Sequence, residues 1–393
     1  MFGIQRLRGR IDYLLDRKVE RGLESVKAGV RDSLRIGLYE LLYMGGVPEY
    51  AAVSQAVDLA QSKGGRGVAG FANAVLRGIA RDGGGPEHFP DPETHLVEYL
   101  STWGSHPRWM VERWLRRWAS EDVAKLVEAN NGVPPLSLHC LWDTPEEAVR
   151  VLEAEQIVAS SVGCGTRCVV VSGHASLEQA MAAVPAVVQD PAASLVVSYA
   201  DPDSDARIAD LCAAPGGKAL ALAGRGNVVL AADRSIERLR LIQENVDRVR
   251  AQGGRGLRIG TVQADASAPP VNRTDMVLLD VPCTGTGTLK RNPDIRWKLT
   301  PDRLDEMAAL QGRMLDVCAD VVPRGGVLVY ATCSLEPEEN EEQIDAFMAR
   351  RPDFRMDPGG GVDGEFLNDR GYLYVTPQAM GFDGAFAARL RKV

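Results

Sequence analysis

Several features are missing from this 393-residue chain, and each absence narrows what it can be. No run of about 18 apolar residues occurs, the length a helix needs to cross a bilayer, so no membrane partner is expected. The opening MFGIQRLRGRID is basic but has neither the apolar stretch nor the small-residue cleavage site of a secretory signal. The seven cysteines are odd in number and scattered, which is not a disulfide framework, and a reducing cytoplasm is the expected location. Positive charge is in deficit: 45 Lys and Arg against 53 Asp and Glu give a net charge of −8, which argues against indiscriminate binding to polyanions. CGTRC has no second ligand pair and His106, His139 and His174 show no metal spacing, so no metal is expected and these histidines read as surface or structural. No internal repeat or low-complexity tract is present.

What is present reads as globular, with 45% hydrophobic and 25% charged residues in a chain long enough for two or three domains. Val30, Leu34, Leu38, Leu41 and Leu42 recur at helical spacing, as do Val53, Ala56, Val57 and Ala60, which predicts a helical module over 1–82. Gly and Pro crowd together in RDGGGPEHFPDP, placing a linker at 83–92. Over 93–186, HPRWMVERWLRRWASEDVAKLVEANNG predicts two short helices stopped at Asn130, Asn131 and Gly132. A small α/β subdomain follows, in which LSLHCLW and CVVV read as strands and Thr144 N-caps a helix with Pro145 in its first turn.

From 187 to 393 short apolar strands alternate with amphipathic helices: RIADLCA, NVVLAAD, TVQADA, DMVLLDVP, GVLVYATCS. This predicts an α/β fold with a mostly parallel sheet covered on both faces, whose ligands bind beyond the carboxyl ends of the strands. DLCAAPGGKALAL runs from strand through a tight loop into a helix, but lacks both G-x-G-x-x-G and G-x-x-x-x-G-K-[ST]. Gly216 and Gly217 let backbone amides approach a ligand, and the helix offers its positive end to a carboxylate. Asp233 and Asp265 close the next two strands where ribose hydroxyls are held in such folds. A nucleoside cofactor bearing a carboxylate fits; S-adenosylmethionine meets both requirements and NAD competes.

DLCAAPGGK, DVPCTGTGTLKRNPDIRWK, YATCSLEPEENEE and DGAFAARLRK resemble the successive motifs of RNA 5-methylcytosine methyltransferases, and LRIGLYELLYM with GFANAVLR is similar to the NusB-like helical domain of the bacterial 16S ribosomal RNA enzymes of the Fmu/RsmB type. The resemblance implies a Rossmann-like S-adenosylmethionine-dependent methyltransferase sheet, preceded by an all-helical NusB-like domain and a small α/β subdomain. The chain begins inside the pattern of the NusB-like module, whose first helices are therefore expected to be lacking. Cofactor contacts are expected from Cys212, Ala213, Ala214, Pro215, Gly216, Gly217, Lys218, Asp233, Asp265 and Asp280.

Carbon 5 of cytosine is too electron-poor to take a methyl group directly; a thiolate added at carbon 6 makes it enamine-like, and a proton donor at N3 stabilises the developing charge. Asp280, assisted by Lys218, suits the N3 and amino edge. Analogy with DNA cytosine methyltransferases would make Cys283, in Pro-Cys, the nucleophile. The RNA-family resemblance assigns that role to Cys333 and product release to Cys283.

EPEENEE reads as acidic residues suited to a helix's first turn, with Ser334 or Glu336 as cap. The basic TLKRNPDIRWK supplies expected backbone contacts to RNA at Lys290, Arg291, Arg296 and Lys298, while Trp297 either stacks on a base or packs in a core. The target base must be unpaired or flipped, because carbon 6 is hidden inside a helix. The expected activity is methylation of carbon 5 of a cytidine in 16S ribosomal RNA by a monomer. Its rivals are action on another RNA or on DNA, and a non-catalytic RNA-binding assembly factor.

Overall fold

Apolar side chains spaced three and four apart fold the amino-terminal part as helices. In the computed structural model, which describes every residue except Met1, His174, Ala175, Gly254 and Arg255, three helices, Ala28–Tyr43, Glu49–Gly64 and Val68–Asp82, bury Leu34, Leu38, Val53, Ala56 and Leu76 in one core. The expectation for His174 thus falls outside the described residues. A Cβ on Gly37 would stand 2.3 Å from that of Ala56, so the first two of these helices meet at a distance only glycine permits. The chain divides into two units: residues 1–133 with 289–298, and residues 134–288 with 299–393.

The return of 289–298 to the helical unit changes the reading of the basic segment. Arg296 is fully buried; its guanidinium donates to the carbonyls of Ser105 (3.0 Å), Asn130 (3.1 Å) and Leu289 (3.2 Å) and to Asn131 Oδ1 (2.8 Å). Burial pushes its pKa down to about 9, with Arg6 adding to the effect. Arg296 is therefore not the exposed RNA contact expected: both terminal nitrogens of its guanidinium are spent holding the helical unit together. Asn130 and Asn131, taken as a stop signal, are the last residues of a helix and part of this cage. Half-buried Trp297 donates from Nε1 to the Gln5 carbonyl at 2.6 Å and carries the Arg8 guanidinium 5.2 Å from its ring centre. Exposed Lys298 pairs with Asp294 at 2.7 Å, and the partly exposed Lys290 accepts Arg6 at its carbonyl at 3.0 Å; Arg291 is also partly exposed.

The second unit opens with β1 (Leu136–Cys140), β2 (Ala159–Ser161), β3 (Cys168–Val171) and β4 (Ala186–Val188), an antiparallel sheet in the order β2-β3-β1-β4. Thr144 caps the helix Pro145–Ala154 through a reciprocal box with Glu147. His139 is buried here against Ser194 and held near pKa 3 by burial and by Arg225 and Arg167; His106 is buried in the helical unit.

The larger sheet comprises β5 (Arg207–Asp210), β6 (Val228–Asp233), β7 (Arg258–Gln263), β8 (Met276–Asp280), β9 (Val327–Thr332), β10 (Phe354–Met356), β11 (Leu373–Val375) and β12 (Ala385–Lys392), in the order β10-β12-β9-β8-β5-β6-β7 with β11 beside β12. The run β9-β8-β5-β6-β7 is parallel, and β12, β10 and β11 add an antiparallel edge. Alternate residues enter two cores: Met276 and Leu278 one, Val277 and Leu279 the other, which is why the strands read as continuous apolar runs. Strand order reverses between β5 and β8. Their carboxyl ends, Asp210 and Asp280, therefore flank the crevice in which such sheets bind ligands.

Candidate active site

The loop after β5 is shaped by glycine. Gly216 has φ +104°, donates to the Ala213 carbonyl at 2.7 Å, and stands where a Cβ would meet Ile242 at 3.0 Å. Only glycine fits both the left-handed backbone and the close approach. The amide of Ala214 donates to Asp233 Oδ2 at 3.2 Å and that of Ala213 to the Ala232 carbonyl at 2.9 Å, so the segment Cys212, Ala213, Ala214, Pro215, Gly216 hangs between β5 and β6 and leads into the helix Gly217–Gly224, which Gly217 and Lys218 open. Burial pushes the Cys212 thiol up, as suits a packing residue. Asp233 also accepts from the Ser235 amide at 2.9 Å. Exposed Asp265 lies two residues beyond the end of β7 rather than on the strand, where it accepts from the Ser267 amide at 2.8 Å.

Two buried polar groups in this crevice were not anticipated. Asp210 is 1% exposed and neither carboxylate oxygen has a hydrogen-bond partner in good geometry. Burial, helped by Asp280 and opposed by Lys218, raises its pKa to about 7. Gln189 is buried with Oε1 unpaired, its side chain 3.5 Å from where a Cβ on Gly217 would be. Unsatisfied buried groups are uncommon in folded proteins, and two beside this glycine-shaped loop make it a candidate ligand site. The only trace of Asp210 in the sequence is an acid interrupting the apolar run RIADLCA.

Lys218 Nζ donates to Asp280 Oδ2 at 2.7 Å. Burial works to lower the Lys218 pKa, but Asp280, then Cys333 and Asp210, outweigh it, and the net shift is upward. The half-buried Cys283 and Cys333 bring their sulfurs to 3.3 Å across the loops that follow β8 and β9. Cys283 is pushed well above the ordinary thiol range by its hydrogen bond to Cys333, by burial and by negative charge on Cys333 and Glu339. Asp280, Lys218, Cys283 and Cys333 thus converge on one side of the sheet's carboxyl edge.

The close approach of these loops has a steric cause. The Gly287 amide donates to the Cys333 carbonyl at 2.9 Å, and its carbonyl accepts from the Gly384 amide at 2.8 Å. A Cβ on Gly287 would come within 2.7 Å of both the Cys333 oxygen and the Gly384 Cα. This gives DGAFAARLRK a physical role: Gly384 leaves room for the cysteine loops. In EPEENEE, Glu341 and Glu342 occupy the first turn of the helix Glu341–Arg350 as expected, and Glu336 stands at the N-cap position of a short 3-10 turn, Pro337–Glu339. Glu336 and Glu339 are nevertheless buried, and Ser334 accepts from the Glu336 amide at 3.0 Å.

Three family profiles match this chain: NusB family over 1–81, the ferredoxin-like domain of RsmF/B-type methyltransferases over 106–178, and 16S rRNA methyltransferase RsmB/F over 197–391. A probable ribosomal RNA small subunit methyltransferase B of Synechocystis sp. is 31% identical over 100% of this chain and 90% of its own length. The Bacillus subtilis protein described in the same words is 31% identical over 97% and 87%, and ribosomal RNA small subunit methyltransferase B of Cronobacter sakazakii is 30% identical over 100% and 89%. Among solved structures, PH0851 superposes with a TM-score of 0.82 at 25% identity over 100% of this chain and 88% of that one. A methyltransferase homolog protein from Pyrococcus horikoshii gives 0.61 at 24% identity over 77% of this chain and 100% of that one, a likeness of fold. No described helix is long and apolar enough to cross a membrane. With a NusB module, a glycine-shaped loop at the switch of a parallel sheet, and relatives matched over most of their length, the chain belongs to the RsmB/F family of 16S rRNA methyltransferases.

Proposed function

We propose that the protein transfers a methyl group from S-adenosylmethionine to carbon 5 of a cytidine in 16S ribosomal RNA through a covalent adduct on Cys333. The observation that carries this reading is the pair of sulfurs 3.3 Å apart beside the Lys218–Asp280 ion pair. A single thiol would suffice to add to a pyrimidine; a second within hydrogen-bond reach of it suits the elimination that must follow.

The crevice fits the cofactor. S-adenosylmethionine carries an ammonium, a carboxylate, a ribose diol and a sulfonium, and when bound supplies the methyl electrophile. The Asp210 carboxylate suits its positive groups, the first turn of Gly217–Gly224 suits its carboxylate, and Asp233 and Asp265, at and just beyond the ends of the next two strands, are the groups we assign to its ribose hydroxyls.

In the reaction, the Cys333 sulfur adds to carbon 6 of the flipped base. The Lys218–Asp280 pair holds the N3 edge and offsets the charge that develops there. After transfer the carbon 5 proton passes to solvent, its electron pair restores the double bond between carbons 5 and 6, and the Cys333 sulfur leaves carbon 6 as a thiolate. Cys283, 3.3 Å away, donates a hydrogen bond to the departing sulfur. Lys290, Arg291 and Lys298 remain candidate phosphate contacts, with the helical module supplying further recognition.

Methyl transfer from tritiated S-adenosylmethionine to unmodified small-subunit RNA, followed by bisulfite mapping, tests the proposal. A labelled cytidine resistant to conversion is the expected product; RNA binding without incorporation would favour an assembly factor. Persistent transfer by Cys333→Ala would point to Cys283 as nucleophile and to DNA-type chemistry.

A further inference from the structure

Glu339 lies in an acidic run yet is fully buried, and its hydrogen-bond partners flank Cys283. Its Oε1 accepts from the amide of Thr284, next to Cys283, at 2.8 Å and from Gln311 Nε2 at 2.9 Å; its Oε2 accepts from the Thr284 hydroxyl. The same Gln311 nitrogen donates to the carbonyl of Pro282, on the other side of Cys283, at 2.9 Å. Cys283 is therefore held at both flanks by one carboxylate and the amide it orients. The Glu339 carbonyl accepts from Tyr330 on β9 at 2.6 Å, and Thr284 Oγ1 lies 3.2 Å from Ser334 Oγ, next to Cys333. One side chain thus ties the loop after β8 to the loop after β9 where their sulfurs meet.

Solvation alone would keep a glutamate out of the core. Burial raises the Glu339 pKa, while hydrogen bonds from Ser334, Thr284 and Gln311 oppose that rise. An all-apolar clasp could pack the loops, but could not accept from the Thr284 amide and hydroxyl and from Gln311 together. A carboxylate at this place also adds negative charge near Cys283, which favours the protonated thiol.

We propose that Glu339 is a positioning residue of the methyl transfer: by clasping Thr284 and Gln311 it sets Cys283 against Cys333, and its loss slows release of the product from Cys333. The inference rests on the roles proposed above for the two cysteines. It touches neither substrate nor cofactor, so its effect falls on turnover rather than on binding.

The test compares Glu339→Gln and Thr284→Val with the wild type, using S-adenosylmethionine and unmodified small-subunit RNA. Glutamine keeps the volume but turns a donor toward donors; valine removes only the hydroxyl. For Glu339→Gln, kcat is expected to fall on the order of 10²-fold, as for a misplacement of about 1 Å, with KM for both substrates within about twofold. A protein–RNA adduct stable to denaturing gels should accumulate, as in Cys283→Ala run in parallel. Thr284→Val should show the same split at smaller size, and decides the matter if Glu339→Gln does not fold. A folded Glu339→Gln or Thr284→Val with wild-type kcat and no adduct, while Cys283→Ala accumulates one, overturns the role of Glu339 alone. Absence of adduct in Cys283→Ala itself overturns the cysteine roles and the inference built on them.

Discussion

Asp210 and Asp280 end the two neighbouring strands at which the order of the parallel sheet reverses, yet their carboxylates are treated in opposite ways: Asp280 accepts from Lys218 at 2.7 Å, and Asp210 is buried without a partner in good geometry. Under the proposed function, Asp280 would lie at the base edge and Asp210 would meet the positive groups of the cofactor.

The stability of the ligand-free protein should accordingly depend on Asp210. Its pKa of about 7, above the ordinary aspartate value of 3.8, means the native state holds the proton more tightly than the unfolded chain. Stability from this group is full below the ordinary aspartate range and is lost as pH rises toward about 7. Asp210→Asn, which stays neutral, should become more stable than wild type across that window, by up to about 4 kcal/mol at the alkaline end. Thermal melts of both proteins from acid to neutral pH measure it; a pH-independent difference would show that Asp210 is not buried as an acid.

Lys218→Met should leave the fold intact and lower kcat by roughly 10²–10³, the usual effect of removing one preorganised electrostatic contact. Steady-state methyl transfer, with binding of the cofactor followed separately, checks this. A loss confined to cofactor affinity would place Lys218 in binding rather than at the base edge.

Gly287→Ala should inactivate the enzyme by parting the cysteine loops. Its Cβ would lie 2.7 Å from the Cys333 carbonyl oxygen and from the Gly384 Cα, backbone on both sides, and overpacking of this kind costs about 1–3 kcal/mol. The expected result is a modest fall in melting temperature with a large fall in rate. Full activity would mean that the spacing of these loops is unimportant.

Arg296 and Lys298, two residues apart, should behave oppositely. Arg296→Ala leaves the carbonyls of Ser105, Asn130 and Leu289 without their donor and should destabilise the helical unit by about 3 kcal/mol. Lys298→Ala should leave stability within about 0.5 kcal/mol and reduce the slope of log affinity for RNA against log salt by about 1. Calorimetry and filter binding at several salt concentrations separate the two; equal effects on the slope would restore Arg296 as a phosphate contact.

This contrast shows where sequence reading reaches its limit. The strand-ending Asp233 and Asp280, the tight Gly216 turn, the Thr144 cap and both cysteines were legible because each is signalled by its immediate neighbours. Arg296 looked solvated because its run is basic, but the carbonyls that bury it come from residues 105 and 130, far away in sequence. Glu339 looked like a helix-end acid for the same reason, its partners Thr284 and Gln311 belonging to other elements. The antiparallel edge of β10, β11 and β12 was equally silent, since pairing direction depends on where the chain returns rather than on local alternation.

The covalent step is tested most directly by mass spectrometry of Cys283→Ala after incubation with S-adenosylmethionine and unmodified small-subunit RNA. The account predicts a peptide containing Cys333 joined through sulfur to a methylated cytidine, and no such species when Cys333→Ala is added to the same protein. Attachment at any other residue, or full turnover by Cys333→Ala, would contradict it.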